Sequence, residues 1–217
     1  MQQGQKLNDS QGNQVACFPS EQIRITQGEN TNYSHYGTWN VDNAVDSPNK
    51  RKLYAPVDVR CVSVLNTGYG LVLYQSVEPV LLANGEVDYF SMWLMHDNNY
   101  SMWQEGRIYE QGEHIYTEGN LDASGMTTGI HVHYEVAQGL HSERIISVAG
   151  GGYHIVNQSH IDDIFYKNLT EVIRENAPGA DAGQRVFNFK EFEGGVIPPE
   201  PTQMKGLPIW LLGQKIR

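Results

Sequence analysis

Residues 129–136 read GIHVHYEV, placing His131, His133 and Glu135 at alternate positions with Val132, Tyr134 and Val136 between them. Successive side chains of a strand point to opposite faces, so two imidazoles and a carboxylate line one side while apolar groups fill the other. At ~3.3 Å rise per residue the imidazoles stand ~7 Å apart. One can bind a metal at ~2.0–2.1 Å while the other stands beside a water on that metal. A catalytic zinc site takes three protein ligands and keeps a position for water or substrate, so further donors are needed. Upstream, NYSHYGTWNVDNAVDS at residues 32–47 offers His35 and Asp42 in a Gly- and Asn-containing loop, and the His, Asp, His set of nitrogen and oxygen donors suits zinc. The competing reading of that stretch is a polar surface loop, and a lone histidine is by default a surface or hydrogen-bonded residue.

These residues need strands to hold them. Between residues 20 and 90, EQIRIT, KLYAPVDVRCVSVL and LVLYQSV are rich in β-branched and aromatic residues, and glycine and asparagine punctuate them. LANGEV carries an Asn-Gly turn signal, and VDYFSMWLMH after it predicts a strand in which Phe90, Met92, Leu94 and His96 share a face. Gly106, Gly112, Gly119 and Gly125 then separate short segments ahead of the HVHYEV strand. The core is expected to be mainly β.

Farther on, SHIDDIFYKNLTEVIREN places Ile161, Ile164, Phe165, Leu169, Val172 and Ile173 at helical spacing, with Ser159 as N-cap. That predicts a C-terminal helix. APGADAG and GGVIPPEPTQ have linker composition, and LPIWLLG is a short apolar close expected to dock on the core or serve as a contact. The division expected is a catalytic domain over residues 1–154 and a helix with extended tail over 155–217, packed on the core.

The bulk numbers exclude some classes. The 217 residues suffice for one sizeable domain with an appendage. A formal net charge of -10 argues against nucleic acid as the main partner, and no basic stripe is present. No apolar run approaches the length that spans a bilayer. The polar start MQQGQKLNDSQGNQ lacks the layout of a secretory signal, so the expected exit from the cytoplasm is by another route. Cys17 and Cys61 belong to no CxxC pair and are either buried thiols or one bridge. Oligomeric state is not legible.

Over roughly residues 22–139 the chain resembles the lysostaphin and LytM type of zinc metallopeptidases, which cut peptide bonds in bacterial peptidoglycan. SHYGTWNVD resembles the family's first motif, WLMH the second, and GMTTGIHVHYEV the third, where many members show GPHLHFE. GRIYEQGEHIYTEGN is similar to the glycine-punctuated hairpin between the last two. The resemblance implies an antiparallel β-sheet core, Zn2+ held by His35, Asp42 and His133, and a catalytic pair of His131 and His96. Zinc at such a site polarises the scissile carbonyl and lowers the pKa of a bound water to about 7. Of His131 and His96, one would take the water's proton and the other steady the developing charge, with His131 the expected base.

Six residues separate His35 from Asp42, where the common motif has three, so Asp46 is the alternative carboxylate. The longer form is similar to the SHKGTNAIDF of phage and prophage members, which favours Asp42 and implies a phage or prophage lysin, delivered during lysis or carried on the virion, with a bacterial wall-remodelling enzyme missing its leader as the alternative. The middle motif departs from the usual HLS to HDN, with His96 kept. His114 is expected as an exposed turn residue, and Glu135 as a support that orients a histidine or a loop. Trp39, Tyr69, Trp93, Tyr100 and Trp103 lie near the motifs, and core packing is expected for most of them. Two rivals stand beside this reading. A degenerate member would bind cell wall without cutting it. A cupin-type metal oxygenase matches the opening GMTTGIHVH, but Glu135 follows His133 too closely for its motif.

Overall fold

The computed structural model describes residues 1–31, 34–125, 127, 129–146, 153–174, 185–194 and 196–197. Eight strands form the main sheet: β1 (Gln22–Gln27), β2 (Val41–Asn43), β3 (Val59–Leu65), β4 (Leu71–Ser76), β5 (Phe90–Met95), β6 (Ile108–Tyr109), β7 (Val132–Gln138) and β8 (Glu171–Arg174). Their order across the sheet is β6-β3-β4-β5-β7-β2-β1-β8. The expectation of a mainly β chain holds. The sheet is mixed rather than purely antiparallel, because β8 runs parallel to β1.

The alternation of residue types decides what each face does. On one face Val72, Tyr74, Met92, Leu94, Tyr134 and Val136 join Phe18, Phe165, Phe187 and Phe189 in the principal core. Burying a side chain such as Leu94 or Phe165 stabilises by roughly 1.5–3 kcal/mol. The other face carries a smaller cluster of Leu71, Leu73, Trp93 and Ala137, covered by Ile155 from a hairpin in which Arg144–Ile146 pairs with Tyr153–Ile155. His133 and Glu135 lie on this second face, opposite Met95 and Trp93 of β5. Packing of the apolar face thus fixes a strand whose other face is polar.

The predicted C-terminal helix is not formed. A single turn, α1 (Ile161–Ile164), is followed by an isolated bridge from Tyr166 to Cys17 and then by β8. Leu169 has φ 57°, a left-handed conformation no continuing helix contains. The Asn168 side chain both donates to Phe192 O (2.9 Å) and accepts from Phe192 N (2.6 Å). Leu169 and Ile173, which a helix would have buried with Ile161 and Phe165, are exposed. The edge of β1 offers a ladder to Glu171, Val172 and Arg174, and this tertiary partner overrides the helical spacing.

Cys17 and Cys61 are both buried free thiols. His114 is not in an exposed turn: it opens the strand His114–Thr117, half-buried, with its ring edge-on to Trp103 at 5.0 Å. Trp93 and Trp103 are buried. No described helix is long and apolar enough to cross a membrane. APGADAG, most of GGVIPPEPTQ and all of LPIWLLG lie outside the described residues.

Candidate metal centre

Pairing of β7 with β2 sets His133 directly opposite Asp42. The loop leading into β2 brings His35 to the same point. His133 Nδ1 lies 2.9 Å from Asp42 Oδ1 and 3.2 Å from His35 Nε2, and His35 Nε2 lies 3.4 Å from Asp42 Oδ1. A tetrahedral ion bound at ~2.0–2.2 Å sets its ligand atoms about 3.3–3.6 Å apart, so the three donors already stand within a few tenths of an ångström of one face of such a site. Among the described residues this is the group of His, Cys, Asp and Glu whose donor atoms meet within 4.8 Å. All three residues are buried. Asp46 does not join them; its backbone N–H donates to Gln22 Oε1 at 2.8 Å, beyond the end of β2.

A hydrogen bond at the far nitrogen of His35 aims the near one. Gly28 O accepts from His35 Nδ1 at 3.0 Å, which leaves the Nε2 lone pair pointing at Asp42 and His133. His133 has the reverse arrangement: Nδ1 faces the donor triangle, and Nε2 faces Glu135 Oε1 at 3.6 Å. That Nε2 is buried and makes no hydrogen bond among the described residues. Glu135 is itself fully buried, held by Arg144 through Nε (3.1 Å) and a second guanidinium nitrogen, and by the Ile155 N–H (2.7 Å). It lies beside a histidine, as expected of a support.

The electrostatics favour a cation. Burial alone would lower the His133 pKa, but the hydrogen bond to Asp42 and the nearby Glu135 carboxylate outweigh that and raise it to about 9. Burial also opposes ionisation of Asp42, yet His35 and His133 hold its carboxyl well below the usual range. The position between His133 Nδ1 and Asp42 Oδ1, where a proton would sit, faces a single buried carboxylate and the His35 Nε2 atom, the same donors that a metal ion would meet. The donor set therefore fits Zn2+.

The remaining histidines flank this triangle. His131 Nδ1 is tied to Gly129 O at 3.0 Å, and its Nε2 lies 3.7 Å from Asp42 Oδ2. The His96 ring is 4.4 Å from that of His131 and 6.2 Å from that of His133, centre to centre. His96 does not continue the face of Phe90, Met92 and Leu94. It falls after the last residue of β5 with φ 89°, and this left-handed turn swings it away from the core to the site. Leu121 O accepts from its Nδ1 at 2.9 Å. Burial, with His131 and His133 nearby, lowers the His96 pKa to about 4, so the ring is neutral at pH 7. His96 and His131 each have Nδ1 turned to a backbone carbonyl, which directs Nε2 elsewhere, and the geometry offers two candidate proton acceptors.

Gly119 makes this close approach possible. It exchanges two backbone hydrogen bonds with His131, each 3.0 Å. A Cβ at this position would lie 2.1 Å from His96 O.

Several residues at the site carry no signal in the sequence. Arg144, His154 and Gln158 come from segments beyond the recognisable motifs, and Asn40 passes as one more polar loop residue. Glu118 is buried behind β2, accepting from Asn43 Nδ2 (3.2 Å) and Val45 N–H (3.1 Å). Only its sequence position, next to Gly119, associates it with the site. Of the aromatic residues near the motifs, Trp39 is 41% exposed and Tyr36 beside it 53% exposed, both on the loop between His35 and Asp42.

No protein-family model matches the chain. Over 169 residues, 76% of its length, it is 32% identical to Morphogenesis protein 1 of Bacillus phage B103, and it spans 43% of that relative. Among solved structures, a zinc containing peptidase from Vibrio cholerae aligns with 71% of this chain and 44% of its own, at 17% identity and a TM-score of 0.40. The solution structure of lysostaphin aligns with 57% of this chain and 48% of its own, at 17% identity and a TM-score of 0.37. Likenesses of this extent leave the functional assignment to the geometry of the site.

Proposed function

We propose that the chain is a zinc-dependent endopeptidase that hydrolyses peptide bonds in the stem peptides or cross-bridges of bacterial peptidoglycan. The observation that carries this reading is the mutual approach of His35 Nε2, Asp42 Oδ1 and His133 Nδ1 beside two further histidines whose Nδ1 atoms are held by backbone carbonyls. His35, Asp42 and His133 would hold the ion, which supplies a Lewis acid to a peptide carbonyl and an acidified water. His131 takes the proton from the attacking water and returns it to the leaving amine. His96, neutral and anchored through Leu121, orders the water from the other side. Glu135 fixes the His133 ring so that Nδ1, not Nε2, faces the ion.

The setting we propose is a phage or prophage lysin, released at lysis or carried on the virion. A relative from a Bacillus phage, named for morphogenesis, supports a phage origin.

The test is metal analysis of the purified protein, together with mass spectrometry of what it releases from defined peptidoglycans. One equivalent of zinc is expected, with soluble fragments bearing new amino and carboxyl ends, and both are lost in His133→Ala. Absence of zinc together with undiminished wall lysis by His133→Ala would overturn the proposal. Retention on peptidoglycan without soluble fragments would identify a binding module instead.

A further inference from the structure

Six residues separate His35 from Asp42. A loop of that length, tied down only at two ligands, would let them drift relative to each other. It is tied elsewhere. His154, Gln158 and His160 reach two successive residues inside it. The Asn40 side-chain amide lies 2.6 Å from His154 Nδ1 on one side, and its Oδ1 accepts from Gln158 Nε2 at 2.6 Å on the other. Gln158 Oε1 accepts the backbone N–H of Trp39 at 2.9 Å. The His160 ring stacks on the Trp39 indole, with centroids 4.1 Å apart and planes at 21°. His160 is in turn held by the buried Glu29, Nδ1 to Oε2 2.6 Å. The third ligand is reached as well, because Glu135 Oε1 lies 3.6 Å from both His154 Nδ1 and His133 Nε2.

We propose that residues 154–160 are a positioning brace for the ligand loop: through Asn40 and Trp39 they hold His35 and Asp42 at the spacing the metal requires. The inference rests on the metal reading of the site. Asn40 is fully buried, so removing its partners leaves an amide unsatisfied and drives the backbone to move two residues from Asp42. The Trp39 stack resists the same movement from the outer side of the loop.

The brace is tested with Gln158→Ala and His160→Ala, reading zinc affinity by chelator competition. Quenching of Trp39 emission in the metal-free protein, isolated by subtracting the spectrum of Trp39→Phe, gives a second readout. Both variants are expected to raise the zinc dissociation constant by about tenfold, the low end of the range for partners that orient ligands, and to make Trp39 more readily quenched. His160→Phe keeps a flat ring beneath the indole but gives up the Glu29 bond, and is expected to move both readouts from those of His160→Ala back toward wild type. Unchanged zinc affinity in a variant with a loosened Trp39, or unchanged Trp39 quenching in both alanine variants, overturns the brace. Should Gln158→Ala fail to fold, the His160→Ala and His160→Phe pair decides the question alone. A wild-type protein that takes up no zinc overturns the metal reading, and the quenching comparison then still decides whether the loop is braced.

Discussion

His133 and Asp42 face each other across the β7 and β2 pair, and Nδ1 of one lies 2.9 Å from Oδ1 of the other. The contact follows from strand register, which no shift of side-chain rotamer alone could produce for Asp46. Asp42→Ala is therefore expected to reduce zinc affinity by more than the roughly 100-fold that loss of a supporting partner costs. Asp46→Ala should bind zinc as wild type does. Isothermal titration of both proteins checks this, and equal losses would remove Asp42 from the donor set.

His131 touches the triangle without belonging to it. His131→Ala is expected to retain zinc while turnover on peptidoglycan falls by about 10²–10⁴-fold, the usual contribution of a positioned acid or base. Loss of zinc together with turnover would make His131 a ligand instead.

Gly119 lies where any side chain would strike the His96 carbonyl. Gly119→Ala is expected to destabilise by about 1–3 kcal/mol, as overpacking does, and to displace His96 relative to His131. Urea unfolding measures the first effect, and the ring proton shifts of the two histidines report the second. Wild-type values for both would mean that the turn after β5 can yield without moving His96.

Glu118 links stability to pH. Burial, only partly offset by its bonds to Val45 and Asn43, pushes its carboxyl up to about 8 from an ordinary value of 4.5. Between those values the folded protein keeps a proton that the unfolded chain has released, so stability falls as pH rises through this window and the full penalty applies above about pH 8. Glu118→Gln removes the titration. Its melting temperature is expected to exceed that of wild type by about 5–10 °C at pH 8.5, with the difference shrinking toward pH 4.5. A difference independent of pH would mean that Glu118 is not the group responsible.

Leu169 distinguishes strand from helix by the sign of one substitution. In the left-handed turn before β8 a non-glycine residue costs roughly 1–2 kcal/mol, so Leu169→Gly is expected to stabilise by roughly 0.5–1 kcal/mol despite the half-exposed side chain it removes. In a helix the same change would destabilise by about 1 kcal/mol. The urea midpoint gives the sign.

The sequence alone determined the features that depend on local period and residue type. Two-residue alternation in GIHVHYEV put His133 and Glu135 on one face, the β-branched runs marked the strands, and His35 with Asp42 stood out as donors in the loop before them, while His96 gained a role only through the family resemblance. Tertiary structure decided the features that depend on what lies opposite. Register placed Asp42, not Asp46, opposite His133, and a left-handed residue turned His96 off the face its spacing had assigned it. The edge of β1 drew Glu171–Arg174 into the sheet although its apolar residues repeat like a helix. Asn40, His154 and Gln158 meet from segments more than a hundred residues apart. A local pattern records which way a side chain points within its own element, whereas the partner that completes a ligand set, a ladder or a brace is fixed only once the chain has closed on itself.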